Sequence, residues 1–277
     1  MSELAFLKWL RGHIGKRGGR IIVDSGDDCA VVKIGRELVL FKTDTVVEDV
    51  HFDRGTPWRA VGRKAIGRAL SDIAAMGGIP TFAVAAAVMR RSMTVDDAKE
   101  ITRGLESFKI PIVGGDLKSH EGACVIVVSL LGEMDGARPV PRTGARPGDI
   151  LMVTGKLGNS IAGHHLTFTP RLREGRAFAT THRVNAMIDI SDGLVRDLGH
   201  LGVGAELDHV PCRGTLEQAL YDGEDYELLV AAPPAVAKRI ERRRLAIPIG
   251  RVVKGRQIRV NGAPVEPRGY EHEFGNR

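Results

Sequence analysis

Apolar positions recur along this chain on two periods, and the switches between them outline its elements. Leu4, Leu7, Leu10 and Ile14 fall at helical spacing behind Ser2, which predicts an N-capped first helix. Two strand-like runs follow, Cys29 to Ile34 and Glu37 to Lys42, and Gly35-Arg36 between them predicts a hairpin. Thr56 and Pro57 offer an N-cap and a first-turn proline for a long helix that stops at Gly77-Gly78. Phe82 to Met89 reads as a strand, and Thr94 with Asp97 as a capping box that opens a helix to about Phe108. Pro111 to Val113 and Ala123 to Gly132 complete a first set of strands.

Residues 135 to 149, DGARPVPRTGARPGD, carry three prolines and three glycines and few large apolar side chains. That composition marks a junction. Beyond it, Ile150 to Thr154 begins a second series of strands and helices. A helix from about Pro234 to Leu245 is followed by late strands at Arg251 to Val253 and Gln257 to Val260. The expectation is an α+β protein of two domains, 1–137 and 138–277.

The composition, 43% hydrophobic and 27% charged over 277 residues, is that of a globular protein. The longest apolar stretches, Phe82 to Met89 and Val125 to Leu131, are too short to cross a bilayer and read as buried strands. The N-terminus has no basic segment followed by an apolar run and a cleavage site, which predicts a cytoplasmic location and no membrane partner. Cys29, Cys124 and Cys212 are scattered, so neither a zinc site nor a disulfide framework is expected. The net charge of +6 raises the question of nucleic acid, but the basic clusters at Arg171 to Arg176 and Lys238 to Arg244 lack interleaved aromatics. No nucleic-acid partner is expected, and a basic surface serves anionic metabolites equally well.

The informative feature is a set of aspartates beside Gly, Ser or Thr, at what read as the ends of elements. They occur in Gly26-Asp27-Asp28, Thr43-Asp44-Thr45, Ser71-Asp72, Gly114-Gly115-Asp116 and Asp189-Ile190-Ser191-Asp192-Gly193. Any one of these is ordinary turn chemistry, whereas five in one chain are not. Asp72 lies within about 20° of Ala65 on a helical wheel, on the stripe of Ala69 and Met76, so its carboxylate points toward the buried face. An ionised group there needs a buried cationic partner or a metal ion. Carboxylates without His or Cys companions suit Mg²⁺, and such sites usually serve phosphorylated substrates. No P-loop and no GxGxxG run is present. Thr154 to Ser160, TGKLGNS, leaves a strand and opens toward a helix, as does Asp192-Gly193; each reads as a phosphate cradle or as a tight turn.

GDDCAVV (Gly26 to Val32), KTDTVVEDVHF (Lys42 to Phe52), LSDIAAMGGIP (Leu70 to Pro80), GGD (Gly114 to Asp116), IDISDGLVRDLGH (Ile188 to His200) and GEDYELL (Gly223 to Leu229) together resemble the thiamine-monophosphate kinase family, within the aminoimidazole-ribonucleotide synthetase superfamily. The match keeps its order from about residue 24 to the C-terminus, where Gly269-Tyr270-Glu271-His272 is similar to the kinase ending. The resemblance implies two α+β domains of the synthetase type, with the N-terminal sheets of two subunits closing a shared barrel in a homodimer. It also implies ATP-dependent transfer to thiamine monophosphate in a cleft between domains, with several Mg²⁺ ions. By position, Asp28, Asp44, Asp72, Asp116, Asp189 and Asp192, with Thr43, would hold the ions, and Asp44, Asp72 and Asp116 would be the catalytic carboxylates. Gly115, Asp116, Arg142 and Ser191 would contact ATP; His51, Glu224 and Tyr270 would contact the acceptor. Tyr270 and His51 read equally as packing residues from sequence alone.

Three departures from the family pattern stand out. Lys42 sits where Ser is frequent, Asn159 where Asp is expected, and the segment between Gly163 and Ala186 is short. A related synthetase that activates an amide or carbonyl oxygen would use the same aspartates. A nucleotide-binding regulator without turnover is the alternative from another class, and the intact aspartates weigh against it.

Overall fold

The computed structural model describes residues 3–14 and 18–270. In the first half they form α1 (Glu3–Ile14), β1 (Ile21–Val23), β2 (Ala30–Ile34), β3 (Glu37–Val47), α2 (Trp58–Ala75), β4 (Ile79–Arg90), α3 (Val95–Leu105), β5 (Ile112–His120) and β6 (Val125–Glu133). The second half contains β7 (Ile150–Val153), α4 (His164–Thr167), α5 (Leu172–Ala177), β8 (Ala186–Asp189), α6 (Leu194–His200), β9 (Gly204–Leu207) and α7 (Leu216–Tyr221). It closes with β10 (Leu228–Ala232), α8 (Pro234–Arg242), β11 (Ile247–Val253), β12 (Ile258–Val260) and β13 (Ala263–Val265). The strands make two mixed sheets, six-stranded in the order β1-β2-β3-β6-β4-β5 and seven-stranded in the order β13-β12-β9-β11-β7-β10-β8. This is the α+β class expected, and residues 135–149 between the sheets contain no helix or strand. No helix among the described residues is long and apolar enough to cross a membrane.

Local chemistry explains most boundaries. Gly35 takes φ +63° and lets β2 turn directly into β3. Thr94 and Asp97 exchange both bonds of a capping box at the start of α3. α2 starts one residue later than expected: Pro57 occupies the cap position in an extended conformation, and no side chain caps the helix. Its proline ring fixes φ without offering an acceptor, so Thr56 is not the cap. Ser2, the expected cap of α1, lies outside the described residues. β3 runs on to Val47 because Thr43 to Val47 pair residue by residue with Ser129 to Val125 of β6. Asp44 is therefore in mid-strand, as is Asp116 in β5, and not at an element end.

From Val61 onward α2 is buried on two sides, and the buried residues include Lys64, Ser71 and Asp72. Ile66, Leu70 and Ile73 pack with Leu40, Ile126 and Leu130 of the first sheet. Ala74 and Ala75 join Met152, Phe178 and Val230 in a core belonging to the second. A methyl on Gly62 would strike the Ile101 carbonyl, so glycine lets α3 cross α2 closely. The helix thus carries polar side chains of its own into the seam between the sheets.

Candidate active site

That seam is acidic. Asp28 precedes β2, Asp72 lies in the last turns of α2, and Asp189 ends β8; all three are buried. Each offers a carboxylate oxygen within 4.8 Å of the others. Lys42 Nζ lies 2.8 Å from Asp72 Oδ1, Arg142 donates to Asp28 Oδ1 at 2.6 Å, and the Ser71 hydroxyl donates to Asp189 Oδ2 at 2.7 Å. Asp28 Oδ2 is buried without a hydrogen-bond partner. Burial, then the charge of Asp28, raises the Asp189 carboxyl to about 7. Burial also pushes Asp72 well up, against the pull of Lys42 and with repulsion from Asp189 and Asp44. Three crowded carboxylates, one of them with an unpaired oxygen and two with their charge disfavoured by burial (Asp72 and Asp189), form an all-oxygen donor set of the kind that hard divalent cations take. These residues fit Mg²⁺.

Asp44 reaches the same seam from β3, where it pairs with Arg68 of α2 at 3.3 Å. Burial raises its carboxyl, but Arg68 and Lys42 outweigh that and hold it below the ordinary value. The resulting cleft has a volume of about 370 Å³ and is lined by Lys42, Asp44, Arg68, Asp72, Arg142, Asp189, Ser191, Asp192, Tyr226 and Tyr270, among others. Asp192 stands at the mouth, with Arg196 Nε 3.5 Å from its carboxylate. Tyr270 is half-exposed there, and its amide donates to the Asp192 carbonyl at 3.1 Å.

A second node lies beside the cleft. Lys64, with no exposed surface, sits 2.5 Å from Glu224 Oε2 and 2.7 Å from His165 Nδ1, and also donates to the His51 carbonyl. Glu224 Oε1 accepts from Tyr226 at 3.1 Å and lies 3.5 Å from Arg68. Burial disfavours its charge, but the His165 bond and Lys64 hold the carboxyl down to about 2. Glu224 and Tyr226 both adopt positive φ, which bends the chain so that both side chains meet α2.

Asp28, Asp44, Asp72, Asp189, Asp192, Arg142, Ser191, His51, Glu224 and Tyr270 are thus brought to one region. Thr43 is not: it faces the opposite side of β3 from Asp44, its hydroxyl 2.8 Å from Ser129 Oγ, because side chains alternate along a strand. Gly115 and Asp116 are also elsewhere. Asp44 lies opposite Val128, Val128 opposite Ala85, and Ala85 opposite Gly115, so three strand spacings, roughly 14 Å, separate Asp44 from β5. Asp116 is exposed there and paired with Lys118 at 2.7 Å. The turn at Thr154 to Ser160 is no phosphate cradle. Its Gly158 and Asn159 amides already donate to Asp225 and Asp222, and only a three-residue 3-10 turn follows. The Ser191 and Asp192 amides are likewise taken by buried Asp197.

Lys64, Arg68, Ser71, His165, Tyr226 and Asp197 were not expected in the site. Lys64, Arg68 and Asp72 stand at four-residue steps among the small and apolar residues Ala65, Ile66, Ala69, Leu70 and Ile73, and that stripe was a usable signal. The others depend on partners far away in sequence.

The chain is similar to a thiamine-monophosphate kinase of Rhodopirellula baltica, 32% identical over 91% of this chain and 89% of the relative. A second such kinase, from Aquifex aeolicus, is 34% identical over 89% of this chain and 92% of its own length. The chain belongs to the thiamine-monophosphate kinase family. Residues 26–134 match the model of the AIR synthase related protein N-terminal domain, which covers β2 to β6 and therefore Asp28, Asp44 and Asp72. Among solved structures, AaThiL complexed with AMPPCP and TMP aligns over 98% of this chain and 97% of its own, with TM-score 0.87 and 30% identity. The family's fold therefore extends over both sheets here.

Proposed function

We propose that this chain transfers the terminal phosphoryl group of ATP to the phosphate of thiamine monophosphate, giving thiamine diphosphate and ADP, in the cleft between its sheets. The observation that carries the reading is the buried group Asp28, Asp72 and Asp189, drawn from both halves of a chain of this family, with one oxygen unpartnered. A relative whose solved structure holds AMPPCP and TMP supports the choice of substrates. Mg²⁺ is the proposed cofactor, held by Asp28, Asp44, Asp72 and Asp189 with Asp192 at the mouth; when bound it offsets phosphate charge and favours an in-line geometry.

The remaining chemistry falls to side chains. The acceptor phosphate is largely dianionic near neutral pH, its second pKa being ~6, so no base is needed. Positioning and charge neutralisation remain. Arg142, anchored on Asp28, and Ser191 face the cleft from the second half and are assigned to ATP. Tyr270 offers a ring for a cationic thiazolium. Glu224 is already compensated by Lys64 and Arg68, so its part, with His51, is to orient the acceptor's side of the cleft.

Gly115 and Asp116 keep a role in this reading only if a second copy brings them to the cleft. Phe41, Phe82, Val84 and Val113 stay exposed on the face of the first sheet turned away from α2, around a cavity of about 300 Å³. Such an apolar sheet face is suited to close against its own copy, as a homodimeric barrel requires. We assign residues 1–137 and 138–277 to the two synthetase-type domains, with α2 shared between their cores, and a cytoplasmic site of action where ATP is supplied.

The test is ADP release with Mg²⁺, ATP and thiamine monophosphate, with chromatographic identification of the product. Thiamine diphosphate that requires all three supports the reading. ATP binding without any product would overturn the acceptor.

A further inference from the structure

β3 and α2 face each other through two ion pairs of opposite polarity. The strand supplies Lys42 and Asp44, two residues apart on one face; the helix supplies Asp72 and Arg68, one turn apart. Lys42 Nζ lies 2.8 Å from Asp72 Oδ1, and Arg68 Nη2 lies 3.3 Å from Asp44 Oδ1. Asp44 and Asp72, which line the cleft from β3 and α2, therefore each already have a protein cation on them. Arg142 does the same for Asp28 Oδ1, but Asp28 Oδ2 remains buried and bare. With Asp27, which lines the same cleft and shares Arg142, the carboxylates Asp27, Asp28, Asp44, Asp72 and Asp189 are five; Lys42, Arg68 and Arg142 are three cations. A lysine ammonium is a compact point charge that fills the space and electrostatic role of a small cation, without the demand for several oxygens.

We propose that Lys42 is a resident cation of this site, standing on the Asp72 oxygen that would otherwise ligate a divalent ion, so that the nucleotide-free protein takes up a single ion, shared by Asp28, Asp72 and Asp189. The proposal rests on the reading of that cluster as a divalent-cation site. It makes the enzyme's charge neutralisation partly independent of metal supply. Arg68 has the same relation to Asp44, but its guanidinium also braces Glu224 and is not replaceable alone.

The experiment is titration of the full-length, nucleotide-free protein with Mn²⁺, followed by the electron paramagnetic resonance signal of the free ion. The wild type should bind one ion per chain. Lys42→Ser, which opens the space and leaves a hydroxyl, should bind a second, and should hold the first about tenfold tighter because a fixed positive charge is gone. Lys42→Arg should bind as the wild type does. Circular dichroism checks folding; if Lys42→Ser is unfolded, Lys42→Met should show the tighter first ion without the second. A folded Lys42→Ser with unchanged stoichiometry and affinity overturns the role of Lys42 alone, as does a wild type that binds two tight ions. Absence of Mn²⁺ binding in wild type and variants alike overturns the metal reading beneath it.

Discussion

The Lys64 ammonium and the Glu224 carboxylate meet at 2.5 Å across 160 residues of sequence, and the lysine has no exposed surface. This pair ties α2 to the loop before β10. Glu224→Gln would leave a buried ammonium bonded only to neutral partners, repelled by Arg68 and with the Asp44 charge alone in its favour. Unpairing a buried charge costs about 3–5 kcal/mol. The Lys64 amine is already held down to about 8, by burial first and against Glu224, so the variant will carry it neutral or strained. Since its folded pKa lies below the ordinary 10.5, stability should rise with pH through the interval up to that value, and more so in Glu224→Gln. Urea unfolding of Glu224→Gln and wild type at neutral and alkaline pH checks this; a loss that does not shrink with pH contradicts it.

His51 sets a pH dependence on the acid side. Its Nδ1 accepts the Val47 amide at 3.1 Å, and burial, then Arg68, lowers the imidazole to about 4 from the ordinary 6.5. As pH falls through that interval the unfolded chain takes up a proton that the folded chain refuses. The folded state is therefore at full strength above 6.5 and loses stability progressively toward 4. His51→Gln should flatten this slope between about pH 7 and pH 5 in urea titrations. Equal slopes in the two proteins would remove His51 from the account.

Asp72→Asn keeps shape and removes charge from the centre of the cluster. Turnover should fall about 100-fold or more if the carboxylate serves a metal-bridged phosphoryl transfer. The fold should survive at some cost in stability: Lys42 loses the carboxylate 2.8 Å away, but burial already disfavours the charge on Asp72 itself. Asp44→Asn should act likewise on turnover but cost more stability, since it frees Arg68 from a carboxylate that is kept ionised. Steady-state kinetics and thermal melts separate the two effects.

Much of this was legible in advance, wherever the signal was local. The Gly35 turn, the Thr94 capping box and the Gly77 stop each depend on neighbours within a few residues, and each appears in the structure. Asp72 was placed on the buried face by helical periodicity alone. Orientation on β3 was missed because the strand was expected to end at Lys42: Thr43 and Asp44 are consecutive in the longer strand that forms, and their side chains face opposite ways. The fate of the Gly158 turn was not legible, because the Asp225 carboxylate that takes its amide lies 67 residues on. The same holds for the surroundings of Glu224, whose partners Lys64 and Arg68 come from α2 and His165 from α4.

Tyr270 should discriminate between the two substrates. Its ring lines the cleft near Asp192 while remaining half-exposed, so its removal leaves the core intact. Cation–π attraction of ~0.5–2 kcal/mol corresponds to a loss of about 2- to 30-fold in affinity for a thiazolium. Tyr270→Ala should show that loss for thiamine monophosphate by calorimetry and bind ATP as the wild type does. Equal weakening of both ligands would mean the residue shapes the cleft and does not read the acceptor.

Asp116 gives the sharpest test of assembly. In one chain it sits on β5, exposed and paired with Lys118, three strand spacings from Asp44. If the apolar face around Phe41 and Phe82 closes against a second copy and brings β5 to the neighbouring cleft, each site draws Asp44 from one chain and Asp116 from the other. Asp44→Asn and Asp116→Asn should then each be inactive alone. Unfolded and refolded together in equal amounts, they should recover about one quarter of wild-type activity, since half the dimers are mixed and each mixed dimer has one intact site. Phe82→Glu should yield a monomer by light scattering and lose activity with it. Recovery from the mixture requires a shared site; an inactive mixture of demonstrably dimeric chains would place Asp116 outside the chemistry.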